Sequence, residues 1–463
     1  MSQENKKRGK RVRKEFLIAI LSIVLVVAIV ALSLVVGKIY SFSTMGGNLG
    51  DINSSISGNE GVESTPKVDP NAVVAEATVV NTGDIILHST VLDGAKTSDG
   101  GYDFSAFFTE IDDYFKSADL ATANLEVTLG GTESGAFSGY PAFNAPDSLL
   151  DVINDAGIGL LTTANNHCYD TGLFGLKRTV GQLKLKGIDF IGTKETANDP
   201  TYVIKELNGI KVGITTFTYE NTAPEGRKSI NGNIVKPEAN ELINSFSYDR
   251  INDFYVDAQS IVDDMKKSGA DAIVFYMHWG EEYKLSPNTW QKSIAQKLSN
   301  MGVDVIVGGH PHVVQPIELI HSEDSENTTV CIYSMGNAIS NQRQELMDSC
   351  PSGHTEDGML FYYTFSKYGD GTVKLTSVDI IPVWVNKYRG GSGYQYTMYP
   401  LETVDMANNY SFDSTALNKA KNRLSVLRHW YKTVLSSVSS IWVVKFVLMW
   451  RRQNNVGIKN YSV

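Results

Sequence analysis

The sequence predicts an α/β domain with largely parallel sheets, carried behind an N-terminal transmembrane helix. Apolar runs of strand length recur at Ala77–Val80, Leu120–Ala123, Ile158–Thr162, Val212–Phe217, Ala272–Tyr276, Val303–Val307 and Val330–Tyr333. Amphipathic stretches of helical spacing separate several of them, at Ser148–Ala156, Gly175–Lys186, Ala258–Lys267 and Thr289–Met301. Strands alternating with helices read as crossover units of a parallel sheet. The third observation is the basic-then-apolar pattern at the amino terminus.

Residues 1–15 are predicted as a cytoplasmic tail. Lys6, Lys7, Arg8, Lys10, Arg11, Arg13 and Lys14 make that tail strongly basic. Residues 16–36 follow without a single charge. A stretch of about 20 apolar residues spans a bilayer core, and the positive-inside rule keeps the basic end in the cytoplasm. A cleaved signal peptide is the competing reading, but its apolar region is shorter and ends at a small-x-small site. Gly37-Lys38-Ile39-Tyr40 offers no such site. The reading is a single-pass anchor at the cell membrane, with the C-terminal domain extracellular.

Residues 37–74 are predicted as a flexible stalk, since Ser, Gly and Asn dominate and apolar periodicity is absent. The main domain is assigned to 75–400. Its last part, Met359–Val385, alternates apolar and polar residues and predicts added antiparallel strands. Residues 401–463 form a helical extension, with a basic stretch at Ala416–Tyr431 and an apolar one at Val434–Trp450. The serines and Lys445 within the latter favour a helix on the domain or membrane surface over a second span.

Beyond residue 15 the chain carries 34 basic against 49 acidic residues, a net charge near −15. Nucleic-acid binding rests on neutralising phosphates, so that balance argues against a nucleic-acid partner. Cys168, Cys331 and Cys350 form neither a CxxC nor an even framework. Disulfides are not expected to hold the domain together, and Cys331–Cys350 is the pairing left open.

The chemistry gathers where the strands end. Asn81-Thr82-Gly83-Asp84 follows the first run, with His88 beyond it, and Asn124-Leu125-Glu126 follows the second. Asn165-Asn166-His167 with Asp170 and Gly172 follows the third. His278-Trp279-Gly280-Glu281-Glu282-Tyr283, Gly308-Gly309-His310-Pro311-His312 and Ser334-Met335-Gly336-Asn337 follow later runs. Each has a bland reading alone: Asp84 as a turn or cap, Glu126 as a loop acid, His167 as a hydrogen-bonded loop histidine. Five of the eight histidines nevertheless fall on these strand ends, which favours the joint reading. Parallel strands place their carboxyl ends on one rim, so these side chains can converge. Mixed His, Asn and carboxylate donors suit Zn, Mn or Fe. One or two such divalent ions polarise a phosphoryl or acyl oxygen and generate hydroxide near neutral pH.

Together these stretches, with Tyr140-Pro141-Ala142-Phe143-Asn144-Ala145-Pro146, resemble the CapA (PgsA-type) poly-γ-glutamate capsule biosynthesis family, within the calcineurin-like metallophosphoesterase fold. The resemblance covers about residues 75–340. It implies a four-layer αββα sandwich. It implies metal ligation by Asp84, Glu126, Asn166, His278, His310 and His312, with His167 and Asp170 on the catalytic side. Two departures bear on activity. Ile86 stands where a phosphoesterase has the histidine of its first motif, and Asn124 with Glu126 replaces the bridging aspartate. The implied role is capsule biosynthesis or export at the cell surface, on poly-γ-glutamate or a similar anionic polymer, beside other capsule subunits. The alternative is a metal-dependent hydrolase or phosphoesterase acting outside the membrane.

Overall fold

Two sheets pack face to face in the computed structural model, which describes residues 69–390, 393–401, 410 and 412–425. The described residues fall in the compact unit that begins at Val68. The expected tail, the 16–36 anchor and the apolar stretch at 434–450 lie outside the described residues. Among the described residues no helix is long and apolar enough to cross a membrane.

The first sheet is mixed. Val73–Ile85, Leu120–Leu125, Leu160–Thr162 and Asp189–Ile191 run parallel, in that order, toward one edge. On the other side of Val73–Ile85 lie Asp357–Tyr368, Val373–Arg389 and Tyr394–Pro400, all antiparallel. This is the late antiparallel addition that the alternation predicts. In the second sheet Ile210–Thr222, Ala272–His278, Val305–Gly309 and Thr328–Ile332 are parallel neighbours, with Ile317–His321 antiparallel at the edge.

Burial on both faces explains the near-continuous apolar strands. Val79, Leu120 and Leu160 of the first sheet pack with Val212, Ile214, Val274, Val305 and Val307 of the second, between the sheets. Their neighbours along the strands turn the other way. Val80, Ala121, Ala123 and Leu161 meet Leu149, Leu150, Ile153 and Leu183 from the helices Leu149–Asp155 and Gly172–Lys186. On the far side, Ile273, Phe275 and Ile306 meet Phe254, Val262, Ile294 and Leu298 from helices Ile251–Lys267 and Thr289–Met301. The layers therefore run helix, sheet, sheet, helix, with an apolar core at each of the three layer contacts.

Local signals set the helix limits. Thr289–Met301 begins with a capping box in which the Asn288 side chain accepts from the Gln291 backbone and Gln291 reaches back to Asn288. It ends at Gly302, whose left-handed φ of 92° suits a glycine cap. Residues 414–425 are also helical. Ala420 and Leu424 are buried there against the inter-sheet core.

Several strands run further than the apolar runs suggest. Asp84 still pairs with Asn124 and Asn337, and His278 with Gly309 and Thr218. These side chains thus stand on ladder residues, a stiffer mount than a loop. The cysteines are all free and buried, so the Cys331–Cys350 bridge is not formed.

Candidate metal centre

The carboxyl ends of the parallel strands of both sheets meet at one rim. Asp84 and Asn124 come from the first sheet, with Glu126 one residue past its strand and Asn166 and His167 in the loop after Leu160–Thr162. From the second sheet, His278 ends its strand and His310 and His312 follow Val305–Gly309. All of these side chains are buried.

The glycines ahead of the histidine pair have a steric cause. A Cβ on Gly308 would lie 2.0 Å from the Tyr333 carbonyl oxygen, and one on Gly309 would lie 2.9 Å from Asp84 Oδ1. Only a bare backbone lets this strand end approach its neighbours. The histidines themselves hold left-handed backbone, with φ of 94° at His310 and 56° at His312. Such conformations cost about 1–3 kcal/mol each in non-glycine residues and concentrate at functional sites. Here the His310 N–H donates to Asp84 Oδ2 at 3.3 Å, and the Tyr219 ring packs 4.9 Å from the His310 ring.

Asn124 organises the acidic side. Its Nδ2 donates to Asp84 Oδ1 at 2.7 Å and to Glu126 Oε2 at 3.2 Å, while its Oδ1 accepts from Asn165 Nδ2 at 3.0 Å. Around that carboxylate pair the imidazoles converge. His278 Nε2 lies 2.8 Å from Asn166 Oδ1 and 3.5 Å from Glu126 Oε1. His312 Nδ1 lies 3.2 Å from Asp84 Oδ2, and its Nε2 lies 3.8 Å from Glu126 Oε1. The His312–Asp84 approach is close but misaligned, so it acts as a charge contact and leaves Nδ1 without a hydrogen bond.

Glu126 Oε1, His310 Nδ1 and His312 Nδ1 are buried with no hydrogen-bond partner. Orphaned buried donors and acceptors are costly, and three in one wall point to a missing partner. A divalent cation fits the donors. Glu126, His278 and His310 bring one ligand atom each within 4.8 Å of one another, as do Asp84, Glu126 and His312. A third group joins exposed Glu282 to His310 and His312.

Electrostatics agree with that donor set. Burial pushes His278 down to about 4 and His310 well below the usual histidine range, so both are neutral with a lone pair free. Burial also acts downward on His312, but the Glu126 and Asp84 carboxylates outweigh it and carry the ring to about 9. Burial acts upward on Asp84, yet the His312 contact, His278 and Asn124 hold it below the usual range. Burial and the Asp84 charge push Glu126 well above it. The cluster of carboxylates and His312 thus favours retained protons, which a dication would displace.

His167 and Asp170 stand at the side of this cluster. His167 Nδ1 lies 2.8 Å from Asp170 Oδ2, which also accepts from the Phe143 backbone at 2.7 Å. Phe143 presents its ring edge-to-face to His167 at 4.6 Å. Asn231 Nδ2, at the turn between Lys228–Ile230 and Asn233–Ile234, lies 3.3 Å from His167 Nδ1.

Of the sequence-predicted residues, Asp84, Glu126, Asn166, His278, His310 and His312 come together. Ile86 points away into the helix-side core and is 1 % exposed. His88 does not take its place: its Nδ1 accepts from the Asn341 N–H at 3.3 Å, and it joins none of the donor groups among the described residues. Asn124, Asn231 and Glu282 are the additions. Glu282 lies within the quoted His278–Tyr283 run, and Asn231-Gly232 is a hairpin-turn dipeptide, a signal available from sequence.

Residues 78–342, which include every residue of this cluster, match the model of the family described as bacterial capsule synthesis protein PGA_cap. The chain belongs to that family. Among curated proteins, the PGA_cap chain is similar to the PGA biosynthesis protein CapA of Bacillus subtilis (strain 168), 28 % identical over 279 residues, covering 59 % of this chain and 65 % of that one. It is also similar to the capsule biosynthesis protein CapA of Bacillus anthracis, 28 % identical over 307 residues, covering 65 % of this chain and 67 % of that one. The chain thus spans about two thirds of the length of the curated relatives it matches. Among solved structures, TT1561 of Thermus thermophilus aligns over 62 % of this chain and 94 % of its own, at 8 % identity and a TM-score of 0.31. That superposition is too loose to carry an argument.

Proposed function

We propose that this PGA_cap chain acts in poly-γ-glutamate capsule assembly at the outer face of the cell membrane, through a divalent-metal centre in a metallophosphatase-like sandwich. The observation that carries the reading is the convergence of Asp84, Glu126, His278, His310 and His312, with three of their buried donor atoms unpartnered. The relatives' names supply the polymer. The basic residues 1–15 and the charge-free stretch 16–36 support the membrane anchor, with the domain outside.

Glu126, His278 and His310, with Asn166 beside His278, would hold one ion, and Asp84 and His312 with Glu126 are placed for a second. When bound, such an ion supplies a polarised acyl or phosphoryl oxygen and a hydroxide at neutral pH. The chain's own part is to orient and to move protons. Asp170 fixes His167 through Nδ1, so Nε2 is the nitrogen that gives or takes a proton at a leaving group. Asn124 keeps both carboxylates turned toward the cluster. Burial keeps bulk water from competing for these contacts.

A second reading, a hydrolase that trims the polymer outside the membrane, is favoured by the His167–Asp170 pair, which has the geometry of an oriented acid–base group. One comparison separates the two. His310→Ala chains introduced into capsule-producing cells should lose bound metal and capsule together. Full capsule on metal-free His310→Ala chains sinks the metal-dependent role. Release of glutamate from poly-γ-glutamate by the purified chain only with added Mn or Zn selects the hydrolase.

A further inference from the structure

An acidic exterior is a poor host for a polyanion, so the chain needs a local patch of opposite charge. One lies beside the metal rim. A cavity of about 460 Å³ is lined by Arg227, Lys228 and Arg250, with Glu220 its single acidic wall residue. That volume is within the range of small-ligand sites.

The cations are positioned but not all consumed. Lys228 Nζ is anchored on the carbonyls of Asn240 at 2.9 Å and Ile243 at 3.1 Å, and sits 3.4 Å from Glu220. Arg250 gives Nη2 to Glu220 at 2.8 Å. Glu220 is held further by Ser245 Oγ at 2.6 Å. Arg227 gives only Nε, to the Pro224 carbonyl at 3.3 Å, and its neighbour Glu225 is 81 % exposed and well solvated. Among the described residues, both terminal nitrogens of Arg227 and Nη1 of Arg250 have no hydrogen-bond partner. In the cavity wall three cations face one spent anion; Glu225, 3.6 Å from Arg227 Nε, and Asp253, 3.8 Å from Arg250 Nε, approach from solvent and leave the terminal guanidinium edges free. A guanidinium edge matches a carboxylate as a two-point donor.

The same hairpin ties this cavity to the rim. Lys228–Ile230 and Asn233–Ile234 are its strands, and Asn231 at its tip touches His167. Ile230 and Val235 pack with Cys168, Tyr169 and Leu176, which seats the hairpin on the His167 loop. From the other side, Glu220 follows directly after Tyr219, whose ring lies on His310.

Resting on the polymer reading above, we infer that the Arg227–Arg250 cavity is a carboxylate-binding subsite, which holds a free carboxylate of the acidic chain while a neighbouring unit lies at the metal rim. Its position gives the hairpin a purpose: it carries the polymer contact and the His167 contact on one element.

Titration calorimetry tests this on the full-length chain in detergent, with γ-linked tetraglutamate, glutarate and inorganic phosphate as probes. Tetraglutamate and glutarate should bind, and Arg227→Ala should weaken both about tenfold or more, as expected for loss of a charge-assisted pair. Bound metal, read by mass spectrometry, should stay at the wild-type level. Arg250→Gln serves as a second variant with the same expected direction. Unchanged carboxylate affinity in both variants overturns the subsite, as does phosphate binding more tightly than glutarate. Arg227-dependent binding of glutarate without binding of tetraglutamate upholds the subsite and overturns the polymer reading instead.

Discussion

Asn166 Oδ1 lies 2.8 Å from His278 Nε2, and this contact joins the two sheets at the rim across 112 residues of sequence. Asn166 sits in the loop after a first-sheet strand, while His278 ends a second-sheet strand. Both fully buried donor groups, Glu126–His278–His310 and Asp84–Glu126–His312, draw on the two sheets together. The site forms only when the inter-sheet core packs, so site geometry and folding are coupled.

Metal content follows from that arrangement. His310→Ala removes a ligand atom from two of the three donor groups, those with Glu126 and His278 and with Glu282 and His312. Bound metal per chain, measured by mass spectrometry, should fall to background while the far-ultraviolet circular dichroism is unchanged. Alanine keeps the Cβ, so the left-handed backbone strain at this position is not relieved by the substitution. Retention of wild-type metal content would remove His310 from the ligand set.

Metal affinity should rise with pH. His312 holds its proton up to about 9 because Glu126 and Asp84 face it, and a cation has to displace that proton. For the metal-free chain the sign runs the other way. Its raised folded value means the stabilisation is fully present below the ordinary histidine value of 6.5 and is lost as pH rises through about 9. Denaturant titrations of chelated protein between these limits should show falling stability, and metal titrations over the same range should show tightening. Metal affinity that is flat across this window contradicts a protonated His312.

Much of this was legible in the sequence because burial on both faces writes long apolar strands, and because ligand types cluster where those strands stop. Thr289–Met301 has a capping box and a terminal glycine, so its limits agree with the helical spacing. Other elements carry weaker patterns. Lys228–Ile230 and Asn233–Ile234 are too short for periodicity, and Tyr202–Leu207 is an edge strand with mixed burial. Asn124 could be named as an oddity of its motif. Its service as donor to two carboxylates needed the register that sets Asp84 beside it. Asn231 reaches His167 from 64 residues away through a hairpin fold-back, which no spacing rule encodes.

The cysteines should be silent in the native state. All three are free and buried. Burial pushes the Cys168 thiol up to about 12 and Cys331 well above its ordinary value, so neither forms the reactive thiolate. A colorimetric thiol reagent at pH 8 should find no reactive thiol in the folded chain and three after denaturation without reductant. A single thiol after denaturation would instead mean that two of them had oxidised to a bridge.

The strongest test of the fold away from the site is the Arg343–Glu356 pair. Arg343 Nη2 donates to Glu356 Oε2 at 2.5 Å, and both side chains are almost wholly buried. Glu356 also accepts from Trp384 Nε1 at 3.2 Å and from the Gln344 N–H at 2.9 Å, while Arg343 Nη1 reaches the Val385 carbonyl at 2.6 Å. Glu356→Ala leaves a buried guanidinium without its countercharge and orphans two further donors. Breaking one side of a buried pair costs about 3–5 kcal/mol, and urea unfolding should register a loss of that size. Glu356→Gln loses the charge but keeps one amide oxygen, able to accept from either Trp384 Nε1 or the Gln344 N–H, so its loss should be smaller than that of the alanine variant by the worth of that hydrogen bond. Equal losses in the two variants would mean that the hydrogen bonds contribute nothing beyond the charge, against the geometry that surrounds Glu356.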